Sequence, residues 1–495
     1  MRDSDREQAR EAAHSAVALV IPPPFFTKMP HIGVAYLSRF LAFKGFNVDV
    51  YDLSVKLHNL ASAELKKFWG IDCSNSFFIS EIADNILANF DKEIGQFIED
   101  LLSGPAMLIG FSVNMSSLYI ANRMAKIIKD RDSKRLILFG GAGVFFKHPR
   151  ELIQPSFADI YVIGEGEAAL LNIVESYSNH KEIKNAPGIF LAKYLTAFQP
   201  LPSPDIVNLD CIPFPTFKGF DLGEYNYGDS YKPLPLLLSR GCIRRCTYCI
   251  DCIMWSKYRF RSPEQIMNEI KYHVFNNNTK AFEFNDLTCN GNLQQLSRLC
   301  ELIIESRLKF DWVSYAIIRR EMDFELLAKM KQAGCHTLIY GVESGSDKIL
   351  SKMGKRYTAK EASEVIRTTH QSGIHTNINI IVGFPGESEE DFNQTVEFIR
   401  QNKDYIDEIT NVSGFSLFPD SEIGTNMDRY GVSLEEGRDP MLFCDANGLD
   451  REARYKRVSR LLELVNNLKL SKSIVNKPTL NPEVIKAMHE NEKNK

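Results

Sequence analysis

The sequence predicts an α/β protein in which a doubly wound, Rossmann-like parallel sheet precedes an incomplete (β/α)6 barrel and a helical C-terminal extension. Two separate alternations of short apolar strands with amphipathic helices predict the two parallel sheets, because a crossover helix joins neighbouring parallel strands. A cysteine-rich loop follows the first strand of the second alternation. We therefore expect two sheet-based domains, with a chemical site at the start of the second.

The first alternation is expected over residues 15–180, after a short charged lead-in at 1–14. Glycines follow several of its strands, among them Gly110, Gly140, Gly141 and Gly164. Glycine there lets the backbone approach a bulky ligand, and the next helix N-terminus can hold a phosphate. Tight turns without a ligand remain the alternative. No G-x-G-x-x-G follows the first strand, which argues against a dinucleotide site. Expected strands are 16–21, 47–51, 106–111, 135–139 and 159–163; expected helices are about 32–44, 81–102, 116–129 and 167–178.

The second alternation is expected over residues 233–425, after a proline-rich linker at 181–232. Six strand–helix units imply a partial parallel barrel whose site lies at the carboxyl ends of its strands. A helical extension is expected over 426–495, with one amphipathic helix at 451–470 and a loose tail. Expected strands are 234–239, 281–285, 312–317, 337–340, 376–382 and 409–417; expected helices are 262–274, 293–306, 323–333, 359–371 and 389–401.

The cysteine loop carries Cys242, Cys246 and Cys249 in the spacing C-x3-C-x2-C. Three thiolates on one tight loop suit a soft metal centre, and iron–sulfur clusters are held mainly by thiolates. A structural zinc site would need a second cysteine knuckle, and a ferredoxin-type run would end in a fourth cysteine followed by proline. Cys252 extends the series but neither pattern is completed. The spacing therefore favours a [4Fe–4S] cluster with one iron left open, and Cys252 is expected to be a spare thiol.

Composition bounds the class of protein. The chain has 495 residues, a formal net charge of −4 and ten cysteines, four of them within eleven residues. The near-neutral charge gives no reason to expect nucleic acid as a partner. No apolar run reaches the ~20 residues that span a bilayer. Clustered rather than scattered cysteines fit a metal site in a reducing cytoplasm.

The cysteine triplet, with Tyr248 just before its last member, resembles the signature of the radical S-adenosylmethionine (SAM) superfamily. Supporting runs are Gly341–Gly345 and Gly383–Glu387. The N-terminal alternation is similar to the cobalamin-binding domain of a radical SAM subfamily, through the prolines at 22–24, the run 30–37, Asp52 and the run 164–167. Ser112 and the pair Gly140–Gly141 stand where that domain has its serine and double-glycine signatures.

The resemblance implies roles for particular residues. Cys242, Cys246 and Cys249 would hold the cluster, and Tyr248 would lie near the adenine of SAM. Asp286 would meet the SAM ammonium, Arg319 its carboxylate, and Glu343 with Ser344 its ribose. Loop capping for Asp286 and a surface ion pair for Arg319 are the structural alternatives, and Arg320 is a rival for Arg319.

The lower cobalt ligand is the main departure from the family pattern. The D-x-H-x-x-G element, whose histidine would bind cobalt, is not present. His31 lies in the corresponding loop with the wrong spacing, and a helix-entry histidine is the alternative. Any cobalamin is therefore expected to be base-off with no histidine ligand, and Ser112, Gly140 and Gly141 are its expected contacts.

The resemblance implies an enzyme that cleaves SAM reductively to a 5′-deoxyadenosyl radical, most simply for cobalamin-dependent C-methylation of an unactivated carbon. The alternatives are a radical SAM cyclisation, rearrangement or oxidation, and a non-catalytic corrinoid-binding or redox-sensing protein. A methylthiotransferase would need three N-terminal cysteines, but only Cys73 and Cys211 precede Cys242. Expected partners are a small-molecule or natural-product substrate and an electron donor such as flavodoxin or ferredoxin.

Overall fold

The computed structural model describes residues 16–70, 80–145, 156–194, 201–225, 232–434 and 443–471. The chain divides into two compact units, Met1–Lys232 and Pro233–Lys495. The lead-in and the tail expected from the sequence lie outside the described residues. Within the described ranges, no helix has both the length and the apolar character needed to cross a membrane.

The first unit is a doubly wound sheet with strand order β2-β1-β3-β4-β5-β6. The first five strands are parallel, and β6 pairs antiparallel with β5. The order reverses between β1 and β3, which makes the carboxyl ends of these two strands the switch point where such sheets bind ligands. The strands are β1 Ala16–Ile21, β2 Asn47–Asp52, β3 Leu108–Ser112, β4 Leu136–Gly140, β5 Ile160–Val162 and β6 Ile189–Leu191.

Both faces of this sheet are covered by apolar packing. Along β1, Ala18 and Val20 belong to one buried cluster, while Val17, Leu19 and Ile21 belong to another. Alternate residues of a strand point to opposite faces, so the two clusters lie on the two sides of the sheet. The helices are α1 Ile32–Phe43, α2 Leu53–Leu60, α3 Ala63–Lys66, α4 Ser80–Ala88, α5 Asp91–Ser103, α6 Leu118–Arg131, α7 Ala142–Phe145 and α8 Gly166–Ser178.

Two expectations for this unit need correction. The single helix expected at 81–102 is two helices, because the chain turns at Asn89 and Phe90 between α4 and α5. The expected linker also folds into the unit. The Ser203 amide donates to the Ile163 carbonyl, and the Tyr225 hydroxyl donates to the Asp52 carboxylate at 2.7 Å.

The second unit is built on a parallel six-stranded sheet with order β14-β13-β12-β11-β10-β7. This is the incomplete barrel expected from the sequence. Its strands are β7 Leu234–Leu236, β10 Ala281–Phe284, β11 Asp311–Ala316, β12 Cys335–Glu343, β13 His375–Val382 and β14 Glu408–Gly414. The intervening short strands β8 Ser239–Arg240 and β9 Arg259–Phe260 form a separate antiparallel ribbon.

Helices connect these strands and begin where side chains cap them. Ser262 caps the helix that starts at Pro263, and Thr358 and Ser388 each form a capping box. The helices are α9 Asp251–Met254, α10 Pro263–Asn276, α11 Leu293–Ser306, α12 Phe324–Gln332, α13 Asp347–Lys352, α14 Ala359–Gln371, α15 Glu389–Asn402, α16 Glu422–Thr425 and α17 Arg451–Asn467.

The C-terminal extension contains the helix that the sequence predicted, α17, and also a short β-ribbon that it did not predict. Strands β15 Val432–Leu434 and β16 Phe443–Asp445 pair antiparallel before α17 begins. Helix α17 is fixed to the barrel by a buried ion pair, in which Arg457 donates to the carboxylate of Glu387 at 2.6 Å. The extension therefore closes over the loop that follows β13.

Candidate functional site

The cysteine loop follows the carboxyl end of β7, and its two ends pair with each other. Its base is the β8–β9 ribbon, in which Ser239 pairs with Phe260 and Arg240 with Arg259. Gly241 makes the closure possible, because its φ is +85° and a Cβ there would lie 2.5 Å from the carbonyl oxygen of Lys257. Only glycine fits this conformation and this close approach.

Asp286, after β10, holds the strand that leads into the loop. Its carboxylate accepts hydrogen bonds from the amides of Leu238 and Ser239, at 3.0 and 2.5 Å, and also from the Ser239 hydroxyl. The side chain is buried, and burial raises the pKa of Asp286 to about 7. These contacts match loop capping, the structural alternative, and the role of Asp286 at the SAM ammonium stays a prediction.

Thr247 anchors the middle of the loop to the barrel. Its amide and hydroxyl donate to the carbonyls of Met353 and Lys352 at 3.0 and 3.1 Å, and its carbonyl accepts from the amide of Ile423. Gly354 packs against the same stretch, since a Cβ there would lie 3.3 Å from the Arg245 carbonyl oxygen. The loop is thus held from both sides.

An ion pair lies beside the cysteines. Lys355 donates to the Glu343 carboxylate at 3.1 Å, and the Tyr248 hydroxyl donates to the same oxygen at 3.2 Å. Only 9 % of the Lys355 side chain and 11 % of the Glu343 side chain are exposed. Burial lowers the pKa of Lys355, but Glu343 together with Tyr248, Tyr357 and Cys246 raises it by more, and the pKa stands well above the usual value. The lysine is therefore charged.

Glu343 is held in an unusual backbone conformation. It lies at the carboxyl end of β12, where the pairing with β13 shifts register, and its φ is +68°. A left-handed conformation at a residue that is not glycine is strained and is characteristic of functional sites. The Glu343 carboxylate lies beside Lys355 and Tyr248, and its role at the SAM ribose stays a prediction.

The thiols of the loop are partly accessible and close enough to influence one another. Burial raises the pKa of Cys242 and of Cys246, while Lys355 lowers the pKa of both. Cys249 and Cys252 share a hydrogen bond that raises the pKa of Cys249 and lowers that of Cys252. Cys252 is thus a neighbour of the cluster cysteines, as the sequence predicted.

The C-x3-C-x2-C spacing of the three cysteines is the feature that favours a [4Fe–4S] cluster. Cations near the thiols, Lys355 and Arg244, offset the charge that three thiolates bring. The loop therefore suits the cluster expected from the sequence.

Arg319 and Arg320, the two candidates for the SAM carboxylate, both contact other groups of the protein. Arg319 donates to the carbonyls of Asn290 and Gly291, at 2.9 and 3.1 Å, and to Glu321 at 3.2 Å. Its role at the SAM carboxylate stays a prediction, and its rival Arg320 forms an ion pair with Glu361.

Ser344 requires a correction. The residue is fully buried, and its hydroxyl is 3.1 Å from that of Thr395 and accepts from the amide of Ser346. It ties the end of β12 to α15 and has no accessible surface for a cofactor.

Lys355 is the residue that sequence reasoning missed. It lies twelve residues after Glu343, in a stretch that also contains Lys348, Lys352 and Arg356. Nothing in the sequence distinguishes a buried lysine from its exposed neighbours. Only the fold shows that this one turns towards the cysteine loop.

The first unit brings its predicted residues together at the switch point. Ser112 ends β3 and pairs in register with Gly140 at the end of β4. Gly141 has a φ of +103°, and a Cβ there would lie 2.6 Å from the carbonyl oxygen of Val113. This glycine therefore serves the contact between two loops, and a role in binding cobalamin stays a prediction for all three residues.

His31 enters the same place from α1. It caps that helix by accepting from the Val34 amide at 3.3 Å, its other ring nitrogen is 3.1 Å from the Ser112 hydroxyl, and its ring stacks on Phe25. Burial lowers the pKa of His31 to about 4. His31 is thus the residue that caps the start of α1, which was the alternative to a cobalt ligand.

A family model matches part of the chain, and curated proteins and solved structures resemble more of it. Residues 236–399 match the family model described as the radical SAM superfamily. The chain is 27 % identical over 295 residues to an uncharacterised methyltransferase of Pyrococcus horikoshii, covering 59 % of this chain and 64 % of that protein. It is 24 % identical to an anaerobic magnesium-protoporphyrin IX monomethyl ester cyclase of Synechocystis, covering 59 % and 58 %. The chain thus spans less than two thirds of these relatives.

Two solved structures share the fold over most of the chain. The cobalamin-dependent SAM radical enzyme OxsB matches with a TM-score of 0.70 at 16 % identity, covering 97 % of this chain and 71 % of that one. The radical SAM methyltransferase TsrM from Kitasatospora setae matches with a TM-score of 0.67 at 15 % identity, covering 95 % of each chain. The predicted fold class is thereby confirmed.

Proposed function

We propose that the chain is a radical SAM enzyme that cleaves SAM reductively and uses cobalamin to methylate an unactivated carbon, since residues 236–399 match the radical SAM family model. The observation that carries the proposal is the cysteine loop, with the charged pair Lys355–Glu343 buried beside it. The first unit contributes a switch point, which is the place where doubly wound sheets bind ligands. The shared fold with two cobalamin-dependent or cobalamin-bound enzymes supports the choice of cofactor.

The residues of the chain have separate tasks in this proposal. Cys242, Cys246 and Cys249 would hold the cluster, as three ligands for a group that commonly takes four. Lys355 offers a fixed cation for the SAM carboxylate, and Glu343 offers an acceptor for an ammonium or for ribose hydroxyls. When bound, the cluster and SAM supply a carbon-centred radical, and cobalamin supplies a methyl group. The protein positions these groups and keeps water away.

Asp286 and Thr247 act as supports rather than as reactants. Asp286 fixes the strand before the loop, and Thr247 fixes the centre of the loop against α13 and α16. A loop fixed in this way would hold a bound cluster in one position relative to Lys355. Precise positioning of this kind is what a radical reaction requires, since a misplaced radical attacks the wrong atom.

A second candidate is a radical SAM cyclisation or oxidation without methyl transfer. The similarity to magnesium-protoporphyrin IX monomethyl ester cyclases favours it, because it extends over 59 % of the chain. The two candidates differ in their products. Methyl transfer consumes a second SAM and releases S-adenosylhomocysteine together with 5′-deoxyadenosine, whereas the second candidate releases 5′-deoxyadenosine alone.

Anaerobic reconstitution tests the proposal. The protein is supplied with iron, sulfide, cobalamin, SAM and dithionite, and both nucleoside products are measured. We expect both products from the wild-type chain and none from Cys246→Ala, which also loses bound iron. Cys444→Ala is the matched control and keeps both. A loaded cluster that yields neither product would replace the proposal with a corrinoid-binding or redox-sensing protein.

A further inference from the structure

A cavity of about 620 Å³ lies in the first unit, along β2, which is the edge strand of the sheet. Its walls are the second half of α1, the strand β2 and the segment 216–219. The volume is within the range of about 300–1,000 Å³ that small-molecule sites commonly have. A doubly wound sheet is expected to bind its ligand at the switch point between β1 and β3. Among the described residues that line the cavity, none belongs to either of those strands, so it is a second candidate site of this unit.

Arg39, on α1, is a charged residue of this cavity that lacks a partner. Its Nε atom is removed from solvent and makes no hydrogen bond, and within the described residues no carboxylate pairs with its guanidinium. A guanidinium stays charged at any pH at which the protein is folded, and a polar atom with neither solvent nor a partner is unfavourable. An anion bound in the cavity would supply the acceptor that Arg39 lacks.

The charge that reaches the cavity is mainly positive. Lys218 contributes a second cation from the segment 216–219; it is exposed, and no acid of the described chain pairs with it. The acid among the described lining residues is Asp49, but alternate residues of a strand point to opposite faces. Val50 packs in the cluster that contains α1, whereas Tyr51 packs in the cluster on the other face of the sheet. Asp49 lies on the same face as Tyr51 and therefore points away from Arg39.

The segment 216–219 is held beside β2 by two left-handed residues. Phe217 has a φ of +55° and Gly219 a φ of +94°, and a Cβ on Gly219 would lie 3.4 Å from the side chain of Val50. A left-handed conformation at a residue such as phenylalanine is unfavourable and is characteristic of binding sites and tight turns. Within the described residues no strand pairs with β2 on its outer side. Backbone groups of this edge therefore remain open to a ligand.

We propose that this cavity binds a small organic anion, whose carboxylate or phosphate group pairs with the Arg39 guanidinium. The planar guanidinium forms two parallel hydrogen bonds with either group. Lys218 adds positive charge from the segment 216–219. Phe46 and Val48 line the cavity and are only partly buried, so they offer an apolar surface to the body of the ligand. The site belongs to the first unit alone and does not depend on the reaction proposed above.

Two aromatic anions, benzoate and phenyl phosphate, test the proposal, with neutral benzyl alcohol as the reference compound. Their binding to the full chain is titrated by saturation-transfer NMR. We expect at least one anion to bind more tightly than benzyl alcohol, and the tighter anion identifies the group that the site prefers. Arg39→Met should weaken that binding at least tenfold and Lys218→Gln about threefold. The matched control is Arg400→Gln, which removes an exposed arginine of α15 and should leave binding unchanged.

Thermal unfolding separates a loss of binding from a loss of fold. Arg39→Met keeps the aliphatic part of the side chain, so without an anion it should unfold at the wild-type temperature. A saturating anion should raise the unfolding temperature of the wild-type chain and not that of Arg39→Met. If Arg39→Met folds poorly, Lys218→Gln still tests the site, because an exposed lysine can be replaced with little effect on stability. Equal anion binding by the wild-type chain and Lys218→Gln, equal weakening by Arg400→Gln, or equal binding of benzyl alcohol would overturn the proposal.

Discussion

The carboxyl edges of the two parallel sheets are built by different means. At the barrel edge, charged groups meet: the Asp286 carboxylate holds the cysteine loop, and Lys355 pairs with Glu343 beside it. At the edge of the first sheet, Gly141 lies against Val113, the uncharged ring of His31 lies against Ser112, and the Asp52 carboxylate accepts from the Tyr225 hydroxyl. The barrel edge thus pairs opposite charges, whereas these contacts of the first edge join backbone or neutral groups to one another or to a single carboxylate.

This difference teaches how far each site can be interpreted. Buried charges are costly unless they are paired, so their presence beside the cysteines indicates chemistry that needs them. Close backbone contacts at the first edge require no ligand, because they stabilise the sheet by themselves. Each edge can therefore be tested by substituting the residues that form its contacts.

The largest effect is expected at the ion pair. Lys355→Met leaves the Glu343 carboxylate buried without its partner, which costs about 3–5 kcal/mol of unfolding free energy. Lys355→Met/Glu343→Gln removes both charges and should recover most of that stability. SAM binding to the reconstituted protein should remain lost in both variants. Denaturant unfolding of the full chain and equilibrium dialysis with SAM measure the two quantities.

An exposed lysine provides the control for that experiment. Lys360→Met should change neither stability nor SAM binding, because its side chain lies at the surface. If the double variant regained SAM binding together with stability, the pair would have a structural role only. The buried charges of the barrel edge would then serve stability alone, as the contacts of the first edge do.

The second effect concerns backbone contact in the first unit. Gly141→Ala should cost about 1–2 kcal/mol for its positive φ and a further ~1–3 kcal/mol for the collision of its Cβ with the Val113 carbonyl. Gly45→Ala is the matched control, since Gly45 has a φ of +94° and no atom lies within 4 Å of the place that a Cβ would take. Thermal unfolding and the absorbance of retained cobalamin measure both variants. Equal losses from the two would show that the contact at Val113 contributes nothing.

The sequence predicted the barrel edge better than the first edge for a physical reason. Three cysteines at a fixed spacing encode their own chemistry, and the period of apolar residues placed β10 to β14 within a few positions. The partners of buried charges cannot be inferred in this way. Whether Lys355 is buried, or whether Ser344 faces α15 rather than a ligand, depends on how β12 and α15 pack, which no local pattern contains.

The smallest effect is expected from pH at His31. Its pKa is lowered to about 4 by burial, so the folded chain resists protonation of this ring. The resulting stability is present above the unfolded pKa of about 6.5 and is lost as pH falls from there towards 4. Between pH 7 and pH 5 we expect the wild-type chain to lose on the order of 1–2 kcal/mol more than His31→Gln, because only the wild-type chain must bury a ring that protonates in this range when unfolded.

Carboxyl groups with raised pKa values, such as Asp52 and Asp286, titrate in the same range. They are present in both chains, so the difference between wild type and His31→Gln isolates the histidine. Thermal unfolding at the two pH values measures this difference, and NMR titration of the His31 ring protons measures its pKa directly. A titration midpoint near 6.5 would contradict this prediction. It would mean that water reaches the His31 ring in the folded chain.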